Sequence, residues 1–227
     1  MFPVNGWDDE QTFSSIDWKH YGESFKKLSN GCRIQISKYT NDLLPTKWWL
    51  QIFDNSVDGH CFACGQLWED TTHVLTCSCD ARSAARATAL MTFQWKLTKM
   101  HTPDVLSHLL RTSMASWLAR RPVLPPEWTG TEEPIQREIR TAFREQARIG
   151  WDQFFHGWIA KAWKIPIGTY YKIRKPGKPF TPDNWMRNVI KELWDFSIAL
   201  WNQRNSELHG KDGALSMEQR RKDTATE

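Results

Sequence analysis

The chain has 227 residues, of which 40% are hydrophobic and 25% are charged. These proportions are typical of a globular protein that is long enough to bury a core, and they exclude a wholly disordered or collagen-like chain. The net charge of +4 permits an acidic partner such as nucleic acid but does not require one. The unusual feature is the 14 tryptophans, because such large rings need to be buried or to stack on a ligand.

The sequence predicts neither a secretory signal nor a membrane span. The opening residues MFPVNGWDDE lack a basic segment followed by an apolar one. The longest apolar stretch, around Trp48, Trp49 and Leu50, is too short to cross a bilayer. We therefore expect an intracellular protein, nuclear or cytoplasmic, with no membrane contact. In a reducing compartment, five cysteines favour a metal site over a disulfide framework.

Apolar periodicity predicts helices along the first half of the chain. Pro45 ends one of them, because the residue before a proline disfavours helical angles, and Thr46 caps the next, KWWLQIF. Asp80 caps another. The predicted helices are 17–28, 32–44, 47–53, 80–100 and 105–120. Three prolines and a glycine within 121–130 then predict a boundary.

The second half is rich in tryptophan and is also predicted to be helical. One helix is expected over 134–163, with a weak point at Gly150, and Pro166 closes it. A basic loop is expected at 168–183. Asp183 then caps a helix over 185–209, for which Gly210 is the C-cap. Pairs of tryptophans spaced by seven predict that the two helices dock on each other; these are Trp151 with Trp158, and Trp194 with Trp201.

These elements predict a mainly α-helical fold, an irregular helical bundle with a small zinc knuckle inserted between helices. We expect four segments. They are an N-terminal helical segment (1–58), the zinc knuckle (59–80), a helical hairpin packed on the knuckle (81–124) and a Trp-rich helical C-terminal domain (125–227).

The sharpest motif is CFACGQLWEDTTHVLTC. Cys61 and Cys64 form a C-x2-C pair, and His73 and Cys77 follow with one helical turn between them. Gly65 allows the tight backbone turn after the second cysteine. Four such ligands suit tetrahedral zinc and leave no open position, which favours a structural site over a catalytic one.

Two neighbouring residues leave the ligand set open. Cys79 could replace Cys77 or His73, and His60 is an alternative fourth ligand. The alternative interpretation is that the cysteines are small buried hydrophobic residues and His73 is a capping residue. The acidic pair Glu69 and Asp70 is interpreted as only setting the polarity of the loop.

A second, weaker candidate is a basic and aromatic run in the second half. Aromatic rings interleaved with cations are what proteins use to bind single-stranded nucleic acid, by stacking and charge. An equally weighted interpretation is a solvated connector whose tyrosines pack on the core. The candidate residues are Tyr170, Tyr171, Lys172, Arg174, Lys175 and Lys178.

Catalytic motifs are missing from the sequence. It contains no phosphate-binding G-x-x-x-x-G-K-[ST] or G-x-G-x-x-G loop, no G-x-S-x-G elbow and no H-E-x-x-H helix. We therefore predict a protein that is not an enzyme.

The order of several segments resembles a known family. ISKYTNDLLPTKWWL (36–50) is followed by CFACG, by EDTTHVLTC and by the ending LWDFSIALWNQRNSELHG (193–210). Together they resemble the zinc-binding region downstream of the polymerase in reverse transcriptase-like proteins of non-LTR retrotransposons. The resemblance to that region covers residues 18–82, and the Trp-rich half resembles the tail that accompanies it in some elements.

The resemblance implies that Cys61, Cys64, His73 and Cys77 bind zinc, and that the chain handles element RNA or target DNA beside a polymerase. Several features depart from the family. The chain has no Y-x-D-D strand and no endonuclease domain, and its Cys/His spacing also differs from that of the short retroviral-type knuckle, C-x2-C-x4-H-x4-C. Polymerase activity is therefore not implied.

We accordingly predict a non-catalytic zinc-binding protein that assists binding of RNA or single-stranded DNA. The alternatives are a helical module that binds another protein, such as a separate polymerase, and a decayed mobile-element fragment without a function of its own.

Overall fold

The computed structural model describes residues 10–128, 134–174 and 180–209. Helices dominate these ranges, and the prediction of a mainly α-helical fold is confirmed. The described residues contain no β-strand, only an isolated bridge between Ile16 and Ala160. The helices are α1 (Glu10–Ser15), α2 (Trp18–Lys26), α3 (Asn30–Thr40), α4 (Lys47–Phe53), α5 (Thr71–Thr76), α6 (Asp80–Lys99), α7 (Asp104–Leu118), α8 (Pro134–Ile149), α9 (Trp151–Phe155), α10 (Lys164–Arg174) and α11 (Pro182–His209).

None of these described helices combines the length and the hydropathy that crossing a membrane requires.

Side-chain caps explain why two of the early helices begin where they do. The Asp17 carboxylate accepts a hydrogen bond from the His20 backbone N–H at the start of α2. The Thr46 hydroxyl accepts one from the Trp49 N–H at 3.2 Å, so the predicted cap of α4 is confirmed. Each cap satisfies a backbone donor that a helix leaves unpaired in its first turn.

The helix predicted over 134–163 is interrupted. Gly150 has a φ of 111° and separates α8 from α9, and α9 ends at Phe155. The chain then turns at Gly157, which has a φ of 84°. A Cβ on Gly157 would lie 2.7 Å from Nε1 of Trp194, so only glycine fits this approach to α11. Trp194 Nε1 also donates to the His156 carbonyl at 2.8 Å.

The loop predicted over 168–183 is helical as far as Arg174. Pro166 does not close a helix but lies in the first turn of α10, where its missing N–H costs no hydrogen bond. α11 begins at Pro182, and the hydroxyl of Thr181, not the predicted Asp183, accepts the Asn184 N–H at 3.1 Å. The predicted C-cap, Gly210, lies outside the described residues.

The chain forms two compact units, and each is assembled from stretches that are distant in sequence. Unit one combines Met1–Arg33 with Leu90–Trp194. Unit two combines Ile34–Ala89 with Asp195–Glu227. The predicted division into four consecutive segments groups the residues differently and stays a prediction.

Tryptophan side chains fill much of the core, as the spacing of the tryptophans in the sequence predicts. Trp151, Trp158 and Trp194 are buried in unit one, and Trp201 is buried in unit two. In unit one, the ring of Trp194 lies edge-on to Tyr21, with 5.1 Å between ring centroids. Aromatic contacts of this kind add to the stabilisation from burial alone.

Unit one also contains a buried hub of hydrogen bonds at Gln146. Its Oε1 accepts the Ala160 N–H at 2.9 Å, and its Nε2 donates to the carbonyls of Gly150 and Trp158, both at 3.2 Å. Oε1 also lies 3.4 Å from Trp163 Nε1. One side chain therefore satisfies the buried backbone groups of the irregular chain that follows α8.

We expect Gln146→Leu to lower the free energy of unfolding by about 3 kcal/mol, because it keeps the side-chain volume but leaves several buried polar groups unpaired. Urea-induced unfolding followed by far-UV circular dichroism measures the change. Gln94→Leu, at a half-exposed position on α6, is the control and should change stability by less than about 0.5 kcal/mol. Equal effects of the two variants would contradict the role of Gln146 as a hub.

Candidate metal centre

A tight turn presents the first two cysteines of the Cys/His segment (59–80). The Gly65 N–H donates to the Cys61 carbonyl, and the Cys61 N–H donates to the Gln66 carbonyl, both at 2.8 Å. Gly65 has a φ of 74°, which is the left-handed conformation expected after the second cysteine. The turn therefore holds Cys61 and Cys64 close together.

The short helix α5 supplies the other two candidate ligands. The Asp70 carboxylate accepts the His73 N–H at 2.5 Å and so caps α5. His73 lies in the first turn of α5, and Cys77 follows directly after its last residue. Both side chains are buried, with His73 only 1% exposed.

The structure brings all four predicted ligands together. The sulfur atoms of Cys61 and Cys77 are 3.9 Å apart, and the Cys64 sulfur is 3.4 Å from His73 Nε2. All four ligand atoms lie within 4.8 Å of one another. The sulfur–sulfur separation is far longer than the roughly 2.05 Å of a disulfide. The cysteines are free thiols, and the four residues could hold a metal ion.

The two alternative ligands lie outside this group. His60 is half-exposed, and its Nδ1 is 2.5 Å from the Asp58 carboxylate. Cys79 is partly buried but is not part of the converging set. Its backbone carbonyl instead accepts the Ser83 N–H in the first turn of α6.

The His73 ring presents one nitrogen to the other candidate ligands. Its Nε2 faces the Cys64 sulfur, whereas Nδ1 is buried and has no hydrogen-bond partner within the described ranges. Nε2 is therefore the His73 atom that could bind a metal ion together with the sulfurs.

The two buried sulfurs share a proton unequally. The hydrogen bond between the sulfurs of Cys61 and Cys77 lowers the pKa of Cys61 far below its usual range. The same hydrogen bond, together with burial, raises the pKa of Cys77. A metal ion needs both groups as thiolates, so binding must release the proton that the pair retains.

A buried ion-pair network adjoins the four ligands. Glu69, for which the sequence predicts only an effect on the polarity of the loop, is 0% exposed. Arg204 of α11 donates two hydrogen bonds to the Glu69 carboxylate, at 2.5 Å and 3.3 Å. Arg82 of α6 contacts the same carboxylate at 3.4 Å, and the Lys47 backbone N–H contacts it at 3.3 Å. Glu69 does lie in a loop, as predicted, but the interpretation that it only sets the polarity of that loop is wrong, because it is buried and paired with two arginines.

Arg82 connects this network to the candidate ligands. Its Nη1 is 3.5 Å from the Cys61 sulfur, and its Nε is 3.2 Å from the Glu207 carboxylate. Burial lowers the pKa of Arg82, but the charge of Cys61 and its carboxylate partners Glu207 and Glu69 outweigh burial and raise it. The guanidinium therefore stays charged beside the sulfurs.

The sequence does not reveal this network because its members are far apart in the chain. The one available signal was the ending W-N-Q-R-N-x-x-L-H-G, which contains Arg204 and Glu207 three residues apart on one helical face. Trp201 belongs to the same ending, and the Arg204 guanidinium lies 5.0 Å from its ring centroid. Charge-bearing residues on an apolar helix face indicate buried partners.

The structure describes four of the six residues that are predicted to bind nucleic acid. Tyr171 is buried, and its hydroxyl donates to the Met100 carbonyl, so it offers no free face for stacking. Tyr170 is half-buried, with the Arg174 guanidinium 5.9 Å from its ring centroid. Lys172 and Arg174 are exposed at the end of α10. Lys175 and Lys178 lie outside the described residues.

Comparison with known proteins gives no further assignment: no family model, no curated protein and no solved structure matches this chain.

We expect Arg204→Met to lower the free energy of unfolding by about 3 kcal/mol, because it leaves part of a buried negative charge uncompensated. Arg204→Lys should recover only part of the loss, since an ammonium group cannot grip both carboxylate oxygens as a guanidinium does. Urea unfolding measures both changes. Arg121→Met, at an exposed position, is the control, and an equally large effect there would contradict the assignment.

Proposed function

We propose that this chain is a non-catalytic, zinc-binding helical protein that assists the binding of single-stranded nucleic acid. We also propose that the chain is related to the region downstream of a non-LTR retrotransposon reverse transcriptase, as the sequence suggests. The observation that carries it is the convergence of three cysteine sulfurs and one histidine nitrogen in a buried site.

The distances within this site favour zinc. Zn–S bonds of about 2.3 Å and Zn–N bonds of about 2.0–2.1 Å in a tetrahedron place two sulfurs about 3.8 Å apart, and a sulfur and a nitrogen about 3.6 Å apart. The observed separations are 3.9 Å for Cys61 to Cys77 and 3.4 Å for Cys64 to His73. Soft thiolates with one imidazole are also the donor set that zinc prefers.

The surrounding charges support the same assignment. Three thiolates and a neutral imidazole around Zn²⁺ leave one net negative charge. Arg82 and Arg204 are both buried, and the carboxylates of Glu69 and Glu207 pair with them. Arg82 also lies 3.5 Å from the Cys61 sulfur, so its positive charge would attract the net negative charge of the site with zinc.

The closed ligand set indicates a structural role for the metal. A catalytic zinc keeps one position for water or substrate, whereas the four protein ligands here fill the tetrahedron. The metal would fix the Cys/His segment in place beside the start of α6 and the end of α11, which belong to unit two. An intracellular, reducing location, which we also propose, would keep the thiols available for the metal.

The nucleic-acid part of the proposal rests on the end of α10. Lys172 and Arg174 are exposed there, and the half-buried ring of Tyr170 lies beside Arg174. Exposed cations beside an aromatic ring suit a flexible, single-stranded polyanion.

A second candidate function, a module that binds another protein, is favoured by α4. This helix reads KWWLQIF, yet none of its residues is buried, and Leu50, Ile52 and Phe53 are exposed. By contrast, α11 exposes no large hydrophobic side chain within its described length. An apolar helix that stays on the surface is typical of an interaction site.

We expect protein purified without added metal to contain one zinc per chain, measured by inductively coupled plasma mass spectrometry. Cys64→Ser should lose the metal and lower the unfolding temperature, since binding free energy is also folding free energy. Cys79→Ser and Cys32→Ser are the matched controls and should retain it, because both residues lie outside the group of four. Metal-free wild-type protein with unchanged stability would refute the zinc assignment.

We expect the protein to bind a fluorescent oligouridylate, with an affinity that falls steeply as salt rises from about 50 to 200 mM. Replacing Lys172, Arg174, Lys175 and Lys178 by Gln should weaken the binding and flatten its salt dependence. Fluorescence anisotropy measures both. Absence of binding at low salt would refute the nucleic-acid role and leave the protein-binding module as the better candidate.

A further inference from the structure

One face of α8 is strongly basic, and we name it the arginine face. Its residues Arg137, Arg144 and Arg148 follow one another at steps of seven and four, so they lie on the same side of the helix. All three are exposed, whereas the opposite side of α8 is buried at Ile139 and Phe143. The arginine face therefore points away from the core of unit one.

The arginines of this face have no acidic partner among the described residues. Glu138, which follows Arg137 in the chain, accepts a hydrogen bond from the Thr169 hydroxyl at 3.1 Å instead. No ion pair of the described ranges includes Arg137, Arg144 or Arg148. Three like charges on one exposed helix face therefore favour an anionic partner from outside the chain.

The basic end of α10 lies at one end of the arginine face. α10 packs against α8. Trp163, just before α10, has its Nε1 3.4 Å from Oε1 of Gln146, near the end of α8. Further along α10, Thr169 contacts Glu138, near the start of α8. The two helices are therefore antiparallel, and the exposed cations at the end of α10 lie toward the same end of α8 as Arg137.

A cavity of about 590 Å³ flanks the arginine face. Arg144 and Phe143 line it from α8, and Trp128 lines it from the segment before that helix. Its volume lies within the range of pockets that hold small ligands, roughly 300–1,000 Å³. Glu127 is the acidic residue of the described lining, and it is exposed, so solvent screens its charge. An aromatic cavity beside an unpaired arginine suits a nucleobase whose phosphate the arginine binds.

We propose that the arginine face binds successive phosphates of a single-stranded nucleic acid, that one unpaired base enters the cavity, and that the strand continues onto the end of α10. Arg137, Arg144 and Arg148 contact phosphates. Trp128 stacks on the base. A single strand fits this surface because it can bend from one helix to the next and present an unstacked base to an aromatic ring. This inference rests on the proposed function and adds to it binding residues on a second helix.

The test compares two triple variants of the full chain with the same loss of charge. One variant neutralises the arginine face by Arg137→Gln, Arg144→Gln and Arg148→Gln. The control neutralises three exposed lysines at the end of α2 and on α3, by Lys26→Gln, Lys27→Gln and Lys38→Gln. The probe is the fluorescent oligouridylate, titrated by anisotropy at several salt concentrations. Far-UV circular dichroism and the unfolding temperature confirm that each variant is folded.

We expect the arginine-face variant to bind more weakly, with a slope of log affinity against log salt that is shallower by about 2, since each phosphate of a single strand contributes about 0.7. The lysine control should keep the wild-type slope. Lysine in place of all three arginines should also keep most of it, because the charge is retained. Equal slopes in the arginine-face and control variants would overturn the inference.

The outcomes also separate this inference from the proposed function. If wild-type protein binds the oligouridylate and the arginine-face variant binds it equally well, only this inference fails. If wild-type protein does not bind at low salt, the proposed function fails as well.

The base cavity has its own test. Trp128→Ala should weaken binding by about tenfold, and Trp128→Phe should restore most of it, because any aromatic ring can stack on a base. Equal losses in the two variants would overturn the base contact. Polyglutamate should displace the oligouridylate only weakly, because it has no base to stack. If it competes equally well at the same concentration of negative charge, the surface binds an acidic protein and the strand proposal is overturned.

Discussion

A carboxylate that is fully removed from water must be met by positive charge that is equally buried, and this requirement organises unit two around Glu69. Arg204 meets one side of the carboxylate and Arg82 meets the other. These partners come from α11 and α6, while Glu69 belongs to the Cys/His segment. Three parts of the chain are therefore held at fixed positions, because displacement of any one leaves a buried charge uncompensated.

The same electrostatic requirement connects the ion pairs to the metal ligands. Arg82 divides its donors among Glu69, Glu207 and the Cys61 sulfur. The Cys61 sulfur and the Glu69 carboxylate therefore share one guanidinium. The Cys/His segment is thus joined to α6 by this electrostatic contact as well as by the continuous backbone. The ring of Phe62, with the Arg82 guanidinium 4.9 Å from its centroid, covers one face of that guanidinium.

The features that the sequence predicts well are those set by neighbouring residues. Thr46 caps α4, Gly65 turns the chain after Cys64, and the four ligands converge, because each outcome depends on a few consecutive residues. The features that it predicts poorly depend on distant partners. The burial of Tyr171 follows from a carbonyl 71 residues away, and that of Glu69 from an arginine 135 residues away. Local patterns carry no signal for such contacts. For this reason the sequence predicts a basic loop over 168–183, although the chain is helical as far as Arg174.

The separation of Glu69 from Arg204 also has a consequence for biosynthesis. The ribosome makes the complete Cys/His segment and Arg82 well before it reaches Arg204, which lies 135 residues after Glu69. At typical elongation rates the interval is on the order of ten seconds. Throughout it, the carboxylate must stay hydrated and the surface that α11 later covers stays open. Until Arg204 is made, Arg82 is the only one of the two arginines that can compensate the charge of this carboxylate.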